Sequence, residues 1–191
     1  MTRESKTKLR QELIKQRLSL SQAEWREKSD RICYHLQTLP LFQQAQTILA
    51  YFSFRQEPDL SSLFTHKHRW GFPRCVGKSL LWHEWTVKDP LQIGEYGIQE
   101  PHPKLPSLNL TKVDLILVPA VACDYRGYRL GYGGGFYDRL LSSSKLRAAT
   151  IGITFDFAYL PQLPTEPWDQ KLHQVCTENG IAKRNYKTIQ P

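Results

Sequence analysis

Apolar residues change their spacing several times along the chain, and each change predicts an element. Leu9, Leu13 and Leu20 recur on one stripe, which predicts a helix over residues 5–20. Ser21 and Glu24 form a capping-box pattern, and Trp25, Ile32, Leu36 and Leu39 continue at helical spacing to Pro40, which predicts a second. The pattern then shortens. Residues 47–53 (TILAYFS) form the short apolar and aromatic run of a buried strand, and Pro58 with Asp59 suits the first turn of a helix from Asp59 to Thr65. Residues 69–75 and 79–87 predict two strands joined at Val76, Gly77 and Lys78, and residues 88–111, rich in Pro and Gly, predict an irregular excursion. Residues 113–118 (VDLILV) and 149–155 (ATIGITF) predict buried strands, residues 136–142 a helix, and residues 174–177 a last strand. Strands alternating with helices predict the α/β class. The expected architecture is one layered α/β/α domain over residues 1–191, built around a mostly parallel sheet and preceded by two helices.

Composition narrows the classes. The chain has 191 residues, 40% hydrophobic and 23% charged, with five Trp, nine Tyr and eight Phe, which excludes global disorder. No stretch approaches the roughly 18 consecutive apolar residues of a membrane span, and the polar, basic start MTRESKTKLRQEL has no signal-peptide core. Cys33, Cys75, Cys123 and Cys176 are too widely and evenly spread for a disulfide scaffold or a paired-thiolate metal site. They read as small core residues of a reduced, cytoplasmic protein.

The net charge of +8 suggests a polyanion partner until it is divided along the chain. Residues 1–17 carry six basic side chains against two acidic ones, half of the excess. On the first helix Lys6, Arg10 and Arg17 fall within about 40° of one another at 100° per residue. They either snorkel beside a buried face or are pinned there and aimed at an anion.

The densest chemical signal is residues 123–139, CDYRGYRLGYGGGFYDR. Gly131, Gly133, Gly134 and Gly135 follow a strand and run into a helix, the arrangement in which backbone N–H groups cradle a phosphate. It is not the dinucleotide fingerprint, because Phe136 stands where that motif needs its last glycine. Asp138 is placed either to cap the helix or to reach a Mg²⁺ that bridges phosphate oxygens. Gly77, Lys78 and Ser79 imitate the end of a P-loop, but Phe72 stands where its first glycine belongs. His66 and His68 have no nearby partners for zinc and read as solvated. Glu57, just past a strand, reads either as an acceptor for an N–H-rich heterocycle or as an exposed loop acid. Trp82 and Trp85, three apart, face opposite sides of a strand and read as core. No serine or cysteine nucleophile with its base is evident.

The segments KTKLRQEL, AYFSFRQEPDL, WGFPRC, GEYGIQEP, VDLILVPAVACDYRGYRLGYGGGFYDRLL and PWDQKLHQVCT, in this order, resemble the 5-formyltetrahydrofolate cyclo-ligase family, also called methenyltetrahydrofolate synthetases. The resemblance implies conversion of 5-formyltetrahydrofolate to 5,10-methenyltetrahydrofolate with ATP and Mg²⁺, by phosphorylation of the formyl oxygen and release of ADP and phosphate. It implies ATP contacts from Lys6, Thr7, Lys8, Leu9 and Arg10, and from Arg129, Leu130, Gly131, Tyr132, Gly133, Gly134, Gly135, Phe136 and Tyr137. Lys6, Arg10 and Arg129 would neutralise charge in the reaction. Phe52 and Glu57 would contact the folate, and Asp138 with Asp169 would hold the metal. The family commonly has Arg at the position of Tyr132 and Tyr at that of Phe136. The expected partners are these two substrates, with no nucleic acid, no membrane and a monomeric state. Two other readings stand beside it: an isomerase-like α/β enzyme of sugar phosphates, and a basic nucleic-acid-binding protein.

Overall fold

The computed structural model describes residues 3–64, 68–144 and 146–183. Three helices open the chain: α1 (Arg3–Leu18), α2 (Gln22–Gln37) and the one-turn α3 (Pro40–Gln44). Ser21 and Glu24 make the reciprocal capping box that starts α2, an arrangement worth about 1 kcal/mol. The second helix ends at Thr38, and Pro40 begins α3 instead of merely ending α2.

Twelve strands follow or flank α4 (Phe136–Leu141): β1 (Thr47–Leu49), β2 (Arg69–Val76), β3 (Ser79–Glu84), β4 (Leu91–Ile93), β5 (Gln99–Pro101), β6 (Leu115–Pro119), β7 (Ala122–Asp124), β8 (Arg129–Leu130), β9 (Ala149–Ile153), β10 (Tyr159–Leu160), β11 (Gln174–Thr177) and β12 (Gly180–Lys183). Seven form one sheet in the order β12-β11-β9-β6-β1-β2-β3. Its five inner strands are parallel and each edge strand is antiparallel to its neighbour, so the mixed, mostly parallel sheet expected from the sequence is present. Pro73 is accommodated in β2 because β1 pairs only with Arg69 to Gly71 and leaves Pro73 no ladder bond to lose on that side.

Several expectations need correction. Only Thr47–Leu49 of the run 47–53 pairs as a strand, because the chain then leaves the sheet for a turn. The helix expected from Asp59 reduces to a single 3-10 turn, Ser61–Leu63, and Thr65 and His66 lie outside the described residues. Residues 88–111 hold the β4–β5 hairpin and a 3-10 turn at Leu110–Lys112. Strand β11 is followed by β12. His68 is not solvated. Its Nδ1 lies 2.8 Å from the Ala45 carbonyl and its ring packs edge-on against Phe42.

The sheet separates two apolar layers. Ile32, Leu36, Phe42, Ile48, Phe72, Trp85 and Ile151 pack on the side of α2, whereas Leu49, Trp82, Ile116, Val118 and Leu140 pack on the side of α4. Trp82 and Trp85 thus enter opposite layers, as their spacing required. A third cluster joins Leu13 of α1 to Val121, Ala122 and Leu130 of the small β10-β7-β8 sheet. That contact sets α1 beside the strand carrying Arg129. Cys33, Cys123 and Cys176 are buried, all four cysteines are free, and Cys75 is half-buried on a cavity wall. Among the described residues no helix is long and apolar enough to cross a membrane.

Candidate active site

A cavity of about 1130 Å³ lies beyond the ends of the parallel strands, walled by α1, the β1–β2 connection, the glycine loop and the segment around Asp169. Its location is where open α/β sheets bind ligands.

One wall is built on Arg129. Asp124, fully buried, accepts N–H bonds from Arg126, Tyr128 and Leu163 and pairs with the Arg126 guanidinium. These bonds tighten the β7–β8 hairpin, with Gly127 at φ 88°, and so fix where Arg129 emerges. The Arg129 side chain is 4% exposed, with Nη2 2.9 Å from Asp138 Oδ1. That contact is an ion pair without hydrogen-bond geometry, so Nε and Nη2 have no hydrogen-bond acceptor among the described residues. Asp138 therefore serves as counter-ion to Arg129 and not as a cap; α4 begins at Gly135, which has no side chain to cap with.

The glycines make room for guanidinium groups. A Cβ on Gly131 would sit 2.7 Å from Arg129 Nη1, and one on Gly135 would sit 2.7 Å from Arg139 Nη1. Gly133 and Gly135 also have left-handed backbone, at φ 103° and 66°. Arg10 of α1 donates from Nε to the Gly131 carbonyl at 2.6 Å, and its burial pulls its pKa below the ordinary value. Arg139 donates to the Gly134 carbonyl at 2.9 Å and to Lys78 O at 2.7 Å, tying the loop to the β2–β3 turn. Lys6 donates to Asp169 Oδ2 at 2.6 Å, and the same oxygen accepts the Glu166 N–H. Thr7 also lines the cavity; Lys8 and Leu9 do not. Lys8 is exposed, and Leu9 packs against the Leu13 cluster.

The opposite end is apolar and acidic. Phe52 stacks on Phe72 at 4.2 Å between centroids and meets Phe64 and Trp85 edge-on. Arg55 and Gln56 take left-handed backbone at φ 49° and 55°, and Glu57 follows, 4% exposed. It is a buried acid and not an exposed loop residue. Its Oε2 accepts the Phe54 N–H at 3.2 Å, and its backbone carbonyl accepts the Trp25 indole N–H and the Ser53 hydroxyl. Burial pushes the Glu57 carboxyl up to about 7, opposed by Arg17, the Phe54 N–H and the Tyr132 hydroxyl. Tyr132, in the glycine loop, thus turns its hydroxyl to this end, and burial raises that phenol to about 12. Between the two ends lies the Tyr137 hydroxyl, buried without a hydrogen-bond partner among the described residues and within the fields of both Glu57 and Arg129.

The residues picked from the sequence therefore converge on one cavity, apart from Lys8 and Leu9. Sequence reasoning missed the place of Arg17, whose partners are distant in the chain, and of Arg139, Glu166 and Trp168, which also line the cavity or hold its loop. The signal for Arg17 was present in its position beside Lys6 and Arg10.

Comparison with known proteins matches this arrangement to one family. The model of the 5-formyltetrahydrofolate cyclo-ligase family matches residues 2–178. The cyclo-ligase of Haemophilus influenzae is 29% identical over 184 residues, covering 92% of this chain and 98% of that protein. That of Mycolicibacterium smegmatis is 32% identical over 193 residues, covering 95% and 98%. The solved structure of 5,10-methenyltetrahydrofolate synthetase from Aquifex aeolicus superposes with a TM-score of 0.85 at 30% identity, covering 97% of this chain and 96% of that one. The chain belongs to the 5-formyltetrahydrofolate cyclo-ligase family.

Proposed function

We propose that this cyclo-ligase closes 5-formyltetrahydrofolate to 5,10-methenyltetrahydrofolate in the cavity described, with ATP phosphates at the arginine end and the pterin at the Glu57 end. The observation that carries the reading is Arg129: a buried guanidinium with two donor nitrogens that have no hydrogen-bond acceptor among the described residues, facing a cavity under a glycine loop. Asp138 balances the charge without satisfying these donors, which leaves them able to bond the oxygens of a bound phosphate.

The formyl oxygen of an amide is a poor leaving group, and transfer of the ATP γ-phosphoryl group to it makes it a good one. N10 then attacks the formyl carbon to close the five-membered ring and gives up its proton, the C–O bond breaks, and inorganic phosphate leaves with the former formyl oxygen and that proton. Lys6, Arg10 and Arg129 hold the phosphates and neutralise the charge that develops during transfer. The N–H groups from Gly131 to Phe136 and the side chain of Thr7 complete that cradle, with Leu130 as its apolar floor. Phe52 packs on the pterin face, and the Glu57 carboxylate accepts hydrogen bonds from its N–H-rich edge. The Tyr137 hydroxyl, between the ends, donates to the group being transferred. No covalent protein intermediate is needed.

Asp138 and Asp169 would hold Mg²⁺. Among the described residues no three His, Cys, Asp or Glu side chains cluster as a metal cage, and both carboxylates are paired with a cation in the cavity. That suits an ion which takes one or two carboxylates and completes its shell with phosphate oxygens and water. Bound there, Mg²⁺ would supply Lewis-acid neutralisation of the phosphates. Every group named comes from one chain, so the reading requires neither a second subunit nor nucleic acid. Four free cysteines support a cytoplasmic setting. The test is to follow the methenyl chromophore from 5-formyltetrahydrofolate with purified protein. Growth that depends on ATP and Mg²⁺ is expected, and a folded protein giving none rejects the reading.

A further inference from the structure

Arg17 lies one helical stripe along from Lys6 and Arg10 but faces no phosphate. It is 3% exposed, and its guanidinium reaches three partners from three parts of the chain. Nε donates to the Arg55 carbonyl at 2.9 Å, Nη2 donates to the Tyr132 hydroxyl, and Nη1 lies 4.0 Å from Glu57 Oε1. The Arg55 carbonyl belongs to the turn in which two consecutive non-glycine residues take left-handed backbone. Such backbone is disfavoured for a residue with a Cβ and persists only where its surroundings hold it. The Tyr132 hydroxyl, held by Arg17, and the Arg17 guanidinium both favour the charged form of the Glu57 carboxyl against its burial. One side chain of the first helix therefore fixes the strained turn, the acid that follows it and the glycine-loop tyrosine.

We propose that Arg17 is the positioning residue of the folate end, acting through Tyr132 and the Arg55 carbonyl to hold Glu57 as an oriented carboxylate acceptor for the pterin. The inference rests on the reading of Glu57 as the pterin acceptor. It removes the Tyr132 side chain from phosphate binding and makes it part of folate recognition, leaving its backbone in the loop. It also divides the work of α1: Lys6 and Arg10 serve the nucleotide, and Arg17, two turns further on, serves the folate. A merely structural Arg17 would lower stability and scale down all kinetic constants alike. A positioning Arg17 changes which proton state Glu57 holds when the folate arrives. Among the described residues the groups facing Glu57 are Arg17 from α1, Tyr51 beyond β1, Tyr132 from the glycine loop and Tyr137 from α4, and of these Arg17 is the one cation.

The experiment measures kcat/KM for 5-formyltetrahydrofolate and for ATP between pH 6 and 9 in wild type, Tyr132→Phe, Arg17→Lys, Glu57→Gln and the Tyr132→Phe/Glu57→Gln double variant. Tyr132→Phe removes the hydroxyl that Arg17 holds, one of the groups that favour the charged form of Glu57. The KM for folate should rise about 5- to 10-fold, the ATP constants should move less than about twofold, and the acid limb of the folate profile should shift to higher pH. Arg17→Lys keeps the charge but loses the fork, and should move the same limb in the same direction. In the double variant Tyr132→Phe should add nothing to Glu57→Gln. An acid limb unmoved in Tyr132→Phe and Arg17→Lys, or fully additive effects in the double variant, would overturn the inference while leaving Glu57 as a folate contact. An unchanged folate KM in Glu57→Gln would instead overturn the reading of Glu57 itself.

Discussion

The two ends of the cavity solve opposite electrostatic problems. At the arginine end, Lys6, Arg10, Arg129 and Arg139 crowd around a loop of glycines, and Asp138 and Asp169 pair with two of these cations. At the folate end a single carboxylate, Glu57, is buried beneath aromatic rings, and one guanidinium, that of Arg17, stands beside it at the limit of ion-pair distance. The first end has more cations than paired carboxylates and an excess of donors. The second is close to neutral and tuned by burial, with its acid pushed up to about 7. Under the proposed function, this difference lets one cavity separate a step needing strong charge neutralisation from the recognition of a nearly neutral heterocycle. The strongly charged groups sit on glycine-supported backbone, and the weakly charged one lies inside the hydrophobic layer.

The comparison is broken most directly at Arg129. Replacing it with Met should lower kcat/KM for ATP by about 10³-fold, because a preorganised donor to developing phosphate charge is lost, while folate affinity changes little. Separate saturation curves for the two substrates in the chromophore assay check this. An equal rise in KM for both substrates would mean that the ends are not independent. Arg10→Ala should act in the same direction but less, about 10- to 100-fold in kcat/KM for ATP, since Arg10 both faces the cavity and ties α1 to the Gly131 carbonyl.

These two ends were not equally legible in the sequence. Four glycines in five residues, a basic helix and a strand-to-helix boundary are local signals, and they pointed to the arginine end before any fold was known. The alternation of strands and helices likewise carried the mostly parallel sheet. Arg17, Tyr132 and Glu57 are separated by 40 and 75 residues, and their meeting depends on α1 docking against the β10-β7-β8 sheet. Nothing local marks that docking. The short strands β4, β5 and β12 escaped for a related reason: three or four residues show too little periodicity, and pairing partners decide them. Asp138 was ambiguous between cap and ligand because the sequence does not show that Arg129 faces it across the hairpin.

Glu57 itself gives the next prediction. An acid whose folded pKa stands above its unfolded value near 4.5 makes the folded state bind its proton more tightly. Stability is therefore undiminished below about pH 4.5 and falls as pH rises through the window to about 7. Glu57→Gln removes this dependence. The variant should gain stability relative to wild type between pH 5 and pH 8 by about 2 kcal/mol, or roughly 4–8 °C in melting temperature for a chain of this size. Parallel melting curves at the two pH values are the measurement. A difference that stayed constant with pH would show that Arg17 fully compensates the buried carboxylate and that the folate end is as polar as the other.

The smallest effect isolates the backbone at the arginine end. Gly77 and Gly135 both have left-handed backbone, at φ 58° and 66°, and the turns they make are joined by Arg139, which bonds to Lys78 O and to Gly134 O. At Gly135 a methyl group would meet Arg139 at 2.7 Å, whereas at Gly77 it would meet nothing within 4 Å. Gly77→Ala therefore tests backbone strain alone. It should lower stability by about 1 kcal/mol, roughly 2–4 °C in melting temperature, and leave kcat/KM for ATP at its wild-type value. If ATP use fell with it, the β2–β3 turn would be transmitting its geometry through Arg139 to the glycine loop. The arginine end would then extend to the edge of the sheet.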